Sequence, residues 1–226
     1  MDKETELVLR NSFDETTVDC ICENYKNFCE LINKKDPSKF QEIYEQLEKF
    51  ATGHEKELAK GGNVRAQQLT HKFFYHCKLS PVIPDEESVS FIADQLKNTT
   101  VFYPYALTGL WTVLLSAKNT MLKSYTNVVK EKCYRFCELS DVISSAEYAT
   151  FTLGCTTLLL VDPPATKETL GLIDALPWKK IVFIGAENEI FDKLEIDHEL
   201  TADSEIKQWS GQELMYVMVY EKKNKI

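Results

Sequence analysis

Side chains with catalytic or metal-binding potential fall into a few clusters in this chain, and each cluster points to a different chemistry. Cys20, Cys22 and Cys29 lie together near the start, and Cys133 and Cys137 form a second group. Paired thiolates bind zinc, but a structural zinc site needs a further pair at ribbon spacing, which neither group has. His71 and His76 precede Cys77, yet two side chains five positions apart do not share a helix face. Reduced thiols and no metal site are therefore expected. Asp162-Pro163-Pro164-Ala165 follows the apolar run Leu158–Val161. Read locally, the prolines end a buried strand and leave the carboxylate at its carboxyl edge. A Walker phosphate loop, a Gly-x-Ser-x-Gly elbow and a His-Glu-x-x-His helix are all missing from the sequence, which removes three common enzyme classes.

The first 84 residues read as helices. Ser12-Phe13-Asp14-Glu15 has capping-box spacing, and Val18, Ile21, Cys22, Tyr25, Phe28, Cys29 and Ile32 then advance in helical steps. Asp36-Pro37 signals a second start, with Phe40, Ile43, Tyr44, Leu47 and Phe50 on one face. Gly61-Gly62 interrupts the pattern, and Ala66, Leu69, Phe73 and Cys77 mark a third helix that ends by Pro81 and Pro84. From 85 onward the rhythm changes. A short helix over Glu86–Lys97 should bury Val89, Ile92, Ala93 and Leu96. Strands are expected at Thr99–Tyr103, Thr120–Tyr125, Lys132–Cys137, Thr156–Asp162 and Lys179–Gly185. Helices should fall at Gly109–Ala117, Ser140–Phe151 and Thr166–Leu176. Alternation with short links implies a parallel sheet covered on both faces. Leu200–Ile206 and Leu214–Tyr220, joined through Trp209-Ser210-Gly211, read instead as an antiparallel hairpin.

That ending, after the Leu158–Pro164 strand and the Lys180–Gly185 strand followed by Glu187, carries a family resemblance. The segment from Thr99 to Lys222 resembles a class I S-adenosylmethionine-dependent methyltransferase, a family that usually finishes with an antiparallel strand inserted into a parallel sheet. The resemblance implies an α/β, Rossmann-like domain over residues 85–226, preceded by an N-terminal helical region over 1–84. The family's cofactor loop has an acidic residue and then three glycines at alternate positions. Here Tyr103 stands at the acidic position, Tyr105 and Leu107 at the first two glycine positions, and Gly109 at the third. Glycines there let the backbone approach the cofactor and adopt torsions other residues avoid.

For an active enzyme, the resemblance implies a cofactor site built from Tyr105, Ala106, Thr108 and Gly109. Asp141 would join it near the adenine ring, or would instead stabilise a helix N-terminus. Asp162 and Pro163 would then be the catalytic residues: in amino-methyltransferases acting on bases, such an acid and a proline carbonyl hold the target amine. The aromatic that follows in that motif is Ala165 here. With two loop glycines, the leading acid and the ribose-binding acid gone, the chain reads as a pseudoenzyme that acts as a scaffold or protein-interaction module. The alternative is an active S-adenosylmethionine-dependent methyltransferase of unknown substrate with a divergent cofactor loop.

Composition narrows the partners. With 44% hydrophobic and 27% charged residues the chain has the make-up of a folded domain rather than a disordered one. The net charge of −9 argues against direct binding to a nucleic-acid backbone and leaves a protein partner as the expectation. The longest apolar run, Thr156 to Val161, is too short to span a membrane, and Met1–Arg10 lacks a secretory apolar core. A cytoplasmic or nuclear location is expected.

Overall fold

The computed structural model describes residues 3–12, 15, 18–19, 22, 26, 30, 80, 82, 84–126, 137, 140–141, 152–186, 188–206 and 215–223. The expected helices around 36–50 and 66–77, the strand over 132–137 apart from Cys137, and the turn at Trp209–Leu214 lie outside these residues. So do Cys20, Cys29, Cys133, His71, His76 and Glu187.

Apolar alternation builds the sheet. Strands β1 (Thr100–Tyr103), β2 (Met121–Thr126), β3 (Ser140–Asp141), β4 (Thr157–Val161), β5 (Lys180–Gly185), β6 (His198–Ile206) and β7 (Met215–Lys222) form one sheet, in the order β3-β2-β1-β4-β5-β7-β6. The first five pair in parallel, and β7 runs antiparallel to both β5 and β6. The sheet is thus mostly parallel, with a C-terminal antiparallel hairpin whose second strand is inserted between β5 and β6.

Period-two geometry sends β4 side chains to opposite faces. Leu159 and Val161 join one buried cluster, while Leu158 and Leu160 join the other. Burial on both faces is why this strand reads as an unbroken apolar run. Helices α2 (Glu86–Gln95) and α3 (Leu110–Ala117) cover the first face through Val89, Ile92, Leu110 and Leu114. Helices α4 (Lys167–Ala175) and α5 (Glu189–Asp197) cover the second through Leu172, Ile190, Phe191 and Leu194. Each such side chain contributes about 1.5–3 kcal/mol by leaving water. All four residues expected to be buried by the Glu86–Lys97 helix are buried. Asp85 caps α2 by accepting from Ser88 N at 2.7 Å, worth about 1 kcal/mol.

The structure corrects the sequence reading at three places. Helix α1 spans Lys3–Ser12, so Ser12 is itself helical where a capping residue was expected, and residues 13 and 14 lie outside the described residues. Ser140 and Asp141 form β3, paired with Tyr125 and Thr126, where a helix start was expected. Backbone pairing to β2 outweighs the local capping preference of Ser and Asp. Helix α5 was not anticipated. It runs directly into β6 at His198 with no glycine or proline between them, so its periodicity merges with that of the strand.

Leu9 and Val18, from the N-terminal region, are buried in the same cluster as α2 and α3. Trp111 of α3 ties residues 80 and 82 to this core. Its indole Nε1 donates to Ser80 Oγ and to Val82 O, both at 3.1 Å, and the ring is 1% exposed. No described helix is long and apolar enough to cross a membrane. Trp111→Phe removes both hydrogen bonds and leaves a void. It should lower unfolding free energy by about 2–4 kcal/mol in urea titrations, with the denaturant slope unchanged.

Candidate functional site

From β1 the chain continues to β2 and β3 on one side of the sheet, and later fills β4 and β5 on the other. Ligands of open α/β sheets sit outside the carboxyl ends of the strands at this reversal. Two loops face each other there, 104–109 after β1 and 162–166 after β4.

The first loop is stitched to β2. Ala106 N donates to Tyr125 O at 2.7 Å, Thr126 Oγ1 donates to Leu107 O at 2.9 Å, and Gly109 N donates to Ala106 O at 2.7 Å. Gly109 caps α3 from the left-handed region at φ 82°, and Leu107 shares that region at φ 47°. Two of the three alternate positions therefore keep a glycine-type backbone, although one now carries a leucine. That conformation costs an L-residue about 1–2 kcal/mol. Thr108 and Ala106 are buried. Cys137 Sγ lies 3.9 Å from Gly109 O and fills space beside the loop. Tyr103, at the acidic position of the resemblance, is buried in the core. Burial, and secondarily the Cys137 thiol, pushes its hydroxyl well above the usual phenol range, so it stays neutral.

The second loop begins with strain of its own. Asp162 lies at φ 38° and its N–H donates to Ile184 O at 2.6 Å. Gly185, at φ 158°, passes so close that an added Cβ would sit 3.0 Å from Phe183 Cε1 and 3.4 Å from Asp162 Cα. Pro163 is buried, while Pro164 and Ala165 are exposed. Thr166 caps α4, accepting from Thr169 N at 3.3 Å.

One contact crosses from loop to loop. Thr169 Oγ1 donates to Pro164 O at 2.7 Å. Its single proton is thus committed, so the Tyr105 hydroxyl, 3.0 Å away, must donate to Thr169. Thr169 is fully buried, and the Tyr105 ring packs against the cluster that contains Phe102, Tyr125, Leu158 and Leu160. Tyr105 is therefore a strut across the mouth between β1 and β4.

The structure brings Tyr105, Ala106, Thr108, Gly109, Asp162 and Pro163 to one edge. Asp141 ends β3 beside Thr126, with β2 between it and β1. Sequence reasoning missed Thr169 and Thr126, and it weighed Cys137 only as a zinc ligand. No local signal marks them, because each meets the site only through tertiary packing.

The mostly parallel sheet with its inserted antiparallel strand and the two loops at the reversal define a Rossmann-like α/β domain. No family model and no curated protein sequence matches this chain. Among solved structures it is similar to the precorrin-6y C5,15-methyltransferase of Geobacter metallireducens GS-15. Identity is 11%, with 64% of this chain and 93% of that chain covered and a TM-score of 0.45. It is also similar to TehB from Haemophilus influenzae at 12% identity, covering 67% of each chain with a TM-score of 0.43.

Tyr105→Phe should cost about 1 kcal/mol in chemical denaturation, since it removes a donor from buried Thr169. Gly185→Ala should cost more, about 2–4 kcal/mol by the same measurement, because backbone strain and the Phe183 contact add.

Proposed function

We propose that this chain is a methyltransferase-like pseudoenzyme that serves as a scaffold or protein-interaction module. The observation that carries the reading is the Tyr105–Thr169 strut. It occupies the mouth between the two loops where a cofactor would enter, and it comes from a position that the resemblance assigns to glycine. The loop amides of Ala106 and Gly109 are already donated to carbonyls within the protein, so they are not on offer to a ligand. Neutral, buried Tyr103 cannot do the work of the acid it replaces. In this reading the acidic chain recruits a protein rather than a nucleic acid, with the helical region over 1–84 beside the α/β domain over 85–226 contributing to the docking surface, in the cytoplasm or nucleus.

A specific observation favours a second reading, that of an active S-adenosylmethionine-dependent methyltransferase. Asp162 holds a left-handed backbone at the end of β4, and such strain concentrates at functional sites. In that case Asp162 and Pro163 act on the substrate, and Tyr105 must swing aside before the cofactor reaches Ala106, Thr108 and Gly109. Methyl transfer asks mainly for alignment of nucleophile and sulfonium, so no strong base is required.

Thermal unfolding with S-adenosylmethionine or S-adenosylhomocysteine separates the two. A ligand at a thousandfold excess over its dissociation constant stabilises by about 4 kcal/mol. The expected result is an unchanged Tm with either ligand. A dose-dependent rise with either one would overturn the pseudoenzyme reading.

A further inference from the structure

The outer side of β6 lies away from the crevice between β1 and β4. β6 closes the sheet order, so this side pairs with no strand among the described residues. Its ladder runs to β7 alone, and no backbone hydrogen bond from a turn or loop reaches Glu199–Glu205 among the described residues. A nine-residue strand with one such side presents a row of unpaired N–H and C=O groups. Another chain can add a strand to that template.

Register narrows the usable part. A bulge between Leu200 and Ala202 leaves Thr201 outside the pairing, and its hydroxyl donates back to Val219 O at 3.2 Å. From Ala202 to Ile206 the strand pairs residue for residue with Met215–Val219. Side chains alternate along this run. Ala202 and Ile206 pack on the cluster beneath α2, and Ser204 shares their face. Asp203 and Glu205 point to the other face and are exposed.

The charge of this edge has one sign. Glu199, Asp203 and Glu205 are exposed and belong to none of the ion pairs among the described residues, and β6 has no lysine or arginine. Lys222 and Lys223 sit at the far end, opposite and beyond His198, and Lys223 Nζ is committed to Glu195 O at 2.7 Å. Carboxylates on an edge keep identical chains apart. A second copy laid antiparallel on Ala202–Ile206 would set Asp203 against Glu205 or against itself, like charge on like. An edge guarded in this way is selective rather than closed, because the same carboxylates attract a strand of opposite charge.

We propose that β6 docks a basic, extended segment of a protein partner, which adds to the sheet as a further strand beside Ala202–Ile206. Backbone hydrogen bonds hold the segment, and lysines or arginines at alternate positions meet Asp203 and Glu205 on one face. Small apolar residues between them fall on the face of Ala202, Ser204 and Ile206. The inference rests on the interaction-module reading for the kind of partner. Its test reads a different edge from the S-adenosylmethionine titration, so either reading can fail without the other.

The test is fluorescence anisotropy of a labelled short peptide of alternating lysine and valine, titrated with the full chain. Two control peptides carry the same sequence N-methylated on the lysines or on the valines, which keeps the charge and removes one set of backbone donors. A third has glutamate in place of lysine. Saturable binding of the first peptide is expected, weakened about tenfold or more by one of the two N-methylations and by Asp203→Lys/Glu205→Lys. Both substituted side chains are exposed, so the double variant should keep the wild-type Tm. Equal binding of both N-methylated peptides would show attraction by charge alone and overturn strand addition. Unchanged affinity in the double variant, binding of the glutamate peptide as tight as that of the lysine peptide, or absence of saturation up to about 1 mM would overturn it as well.

Discussion

Side-by-side burial of β1 and β4 at the centre of the sheet constrains everything at its carboxyl edge. Val101, Phe102, Leu158, Leu159 and Leu160 are fully buried, and the β4 residues supply both hydrophobic clusters. A slip of one residue would exchange the faces of the whole strand, so the register is strongly held. With Val101 opposite Thr157 and Phe102 opposite Leu158, the loops that follow the two strands must emerge next to each other. A tyrosine at position 105 is then within reach of a threonine in the first turn of α4. The strut across the crevice is a consequence of that register rather than an addition to it.

The two edges of the sheet handle backbone strain differently. At the amino edge the left-handed positions are Asn98 and Asn119, a residue type whose short polar side chain tolerates that region. At the carboxyl edge they are Leu107 and Asp162. A leucine stays there only because its surroundings over-determine it: Thr126 holds its carbonyl while Ala106 and Gly109 are tied on either side. The loop takes a left-handed backbone at Leu107 and Gly109 while the amides of Ala106 and Gly109 bond carbonyls within the protein. The amino edge shows the reverse pattern, an ordinary pair of turns beside buried hydroxyls, those of Thr120 and Thr157, that no group among the described residues satisfies.

Much of the fold was legible in the sequence, wherever burial is periodic. The continuous run Leu158–Val161 announced a strand covered on both faces. The spacing of Val89, Ile92, Ala93 and Leu96 announced an amphipathic helix, and the last two strands announced a hairpin. The reading failed where two periodicities abut, as at α5 and His198, or where a two-residue pairing overrides capping chemistry, as at Ser140 and Asp141. Of the candidate site, the sequence supplied the loop from Tyr103 to Gly109 and the Asp162-Pro163-Pro164 segment. It supplied no hint that Thr169 joins them.

By itself, then, the sequence determined which segments become strands and helices, and which residue types stand in the loop after β1. Those are properties of local periodicity and of residue type. Tertiary structure alone decided that Leu107 keeps a glycine's backbone, that Tyr105 donates to Thr169, and that the acidic strand β6 ends the sheet. Each depends on strands far apart in the chain lying 4.7–4.9 Å apart, roughly the spacing of any hydrogen-bonded sheet. Which residues a given register brings face to face is fixed by burial on both sides of that sheet, and no stretch of local sequence contains it.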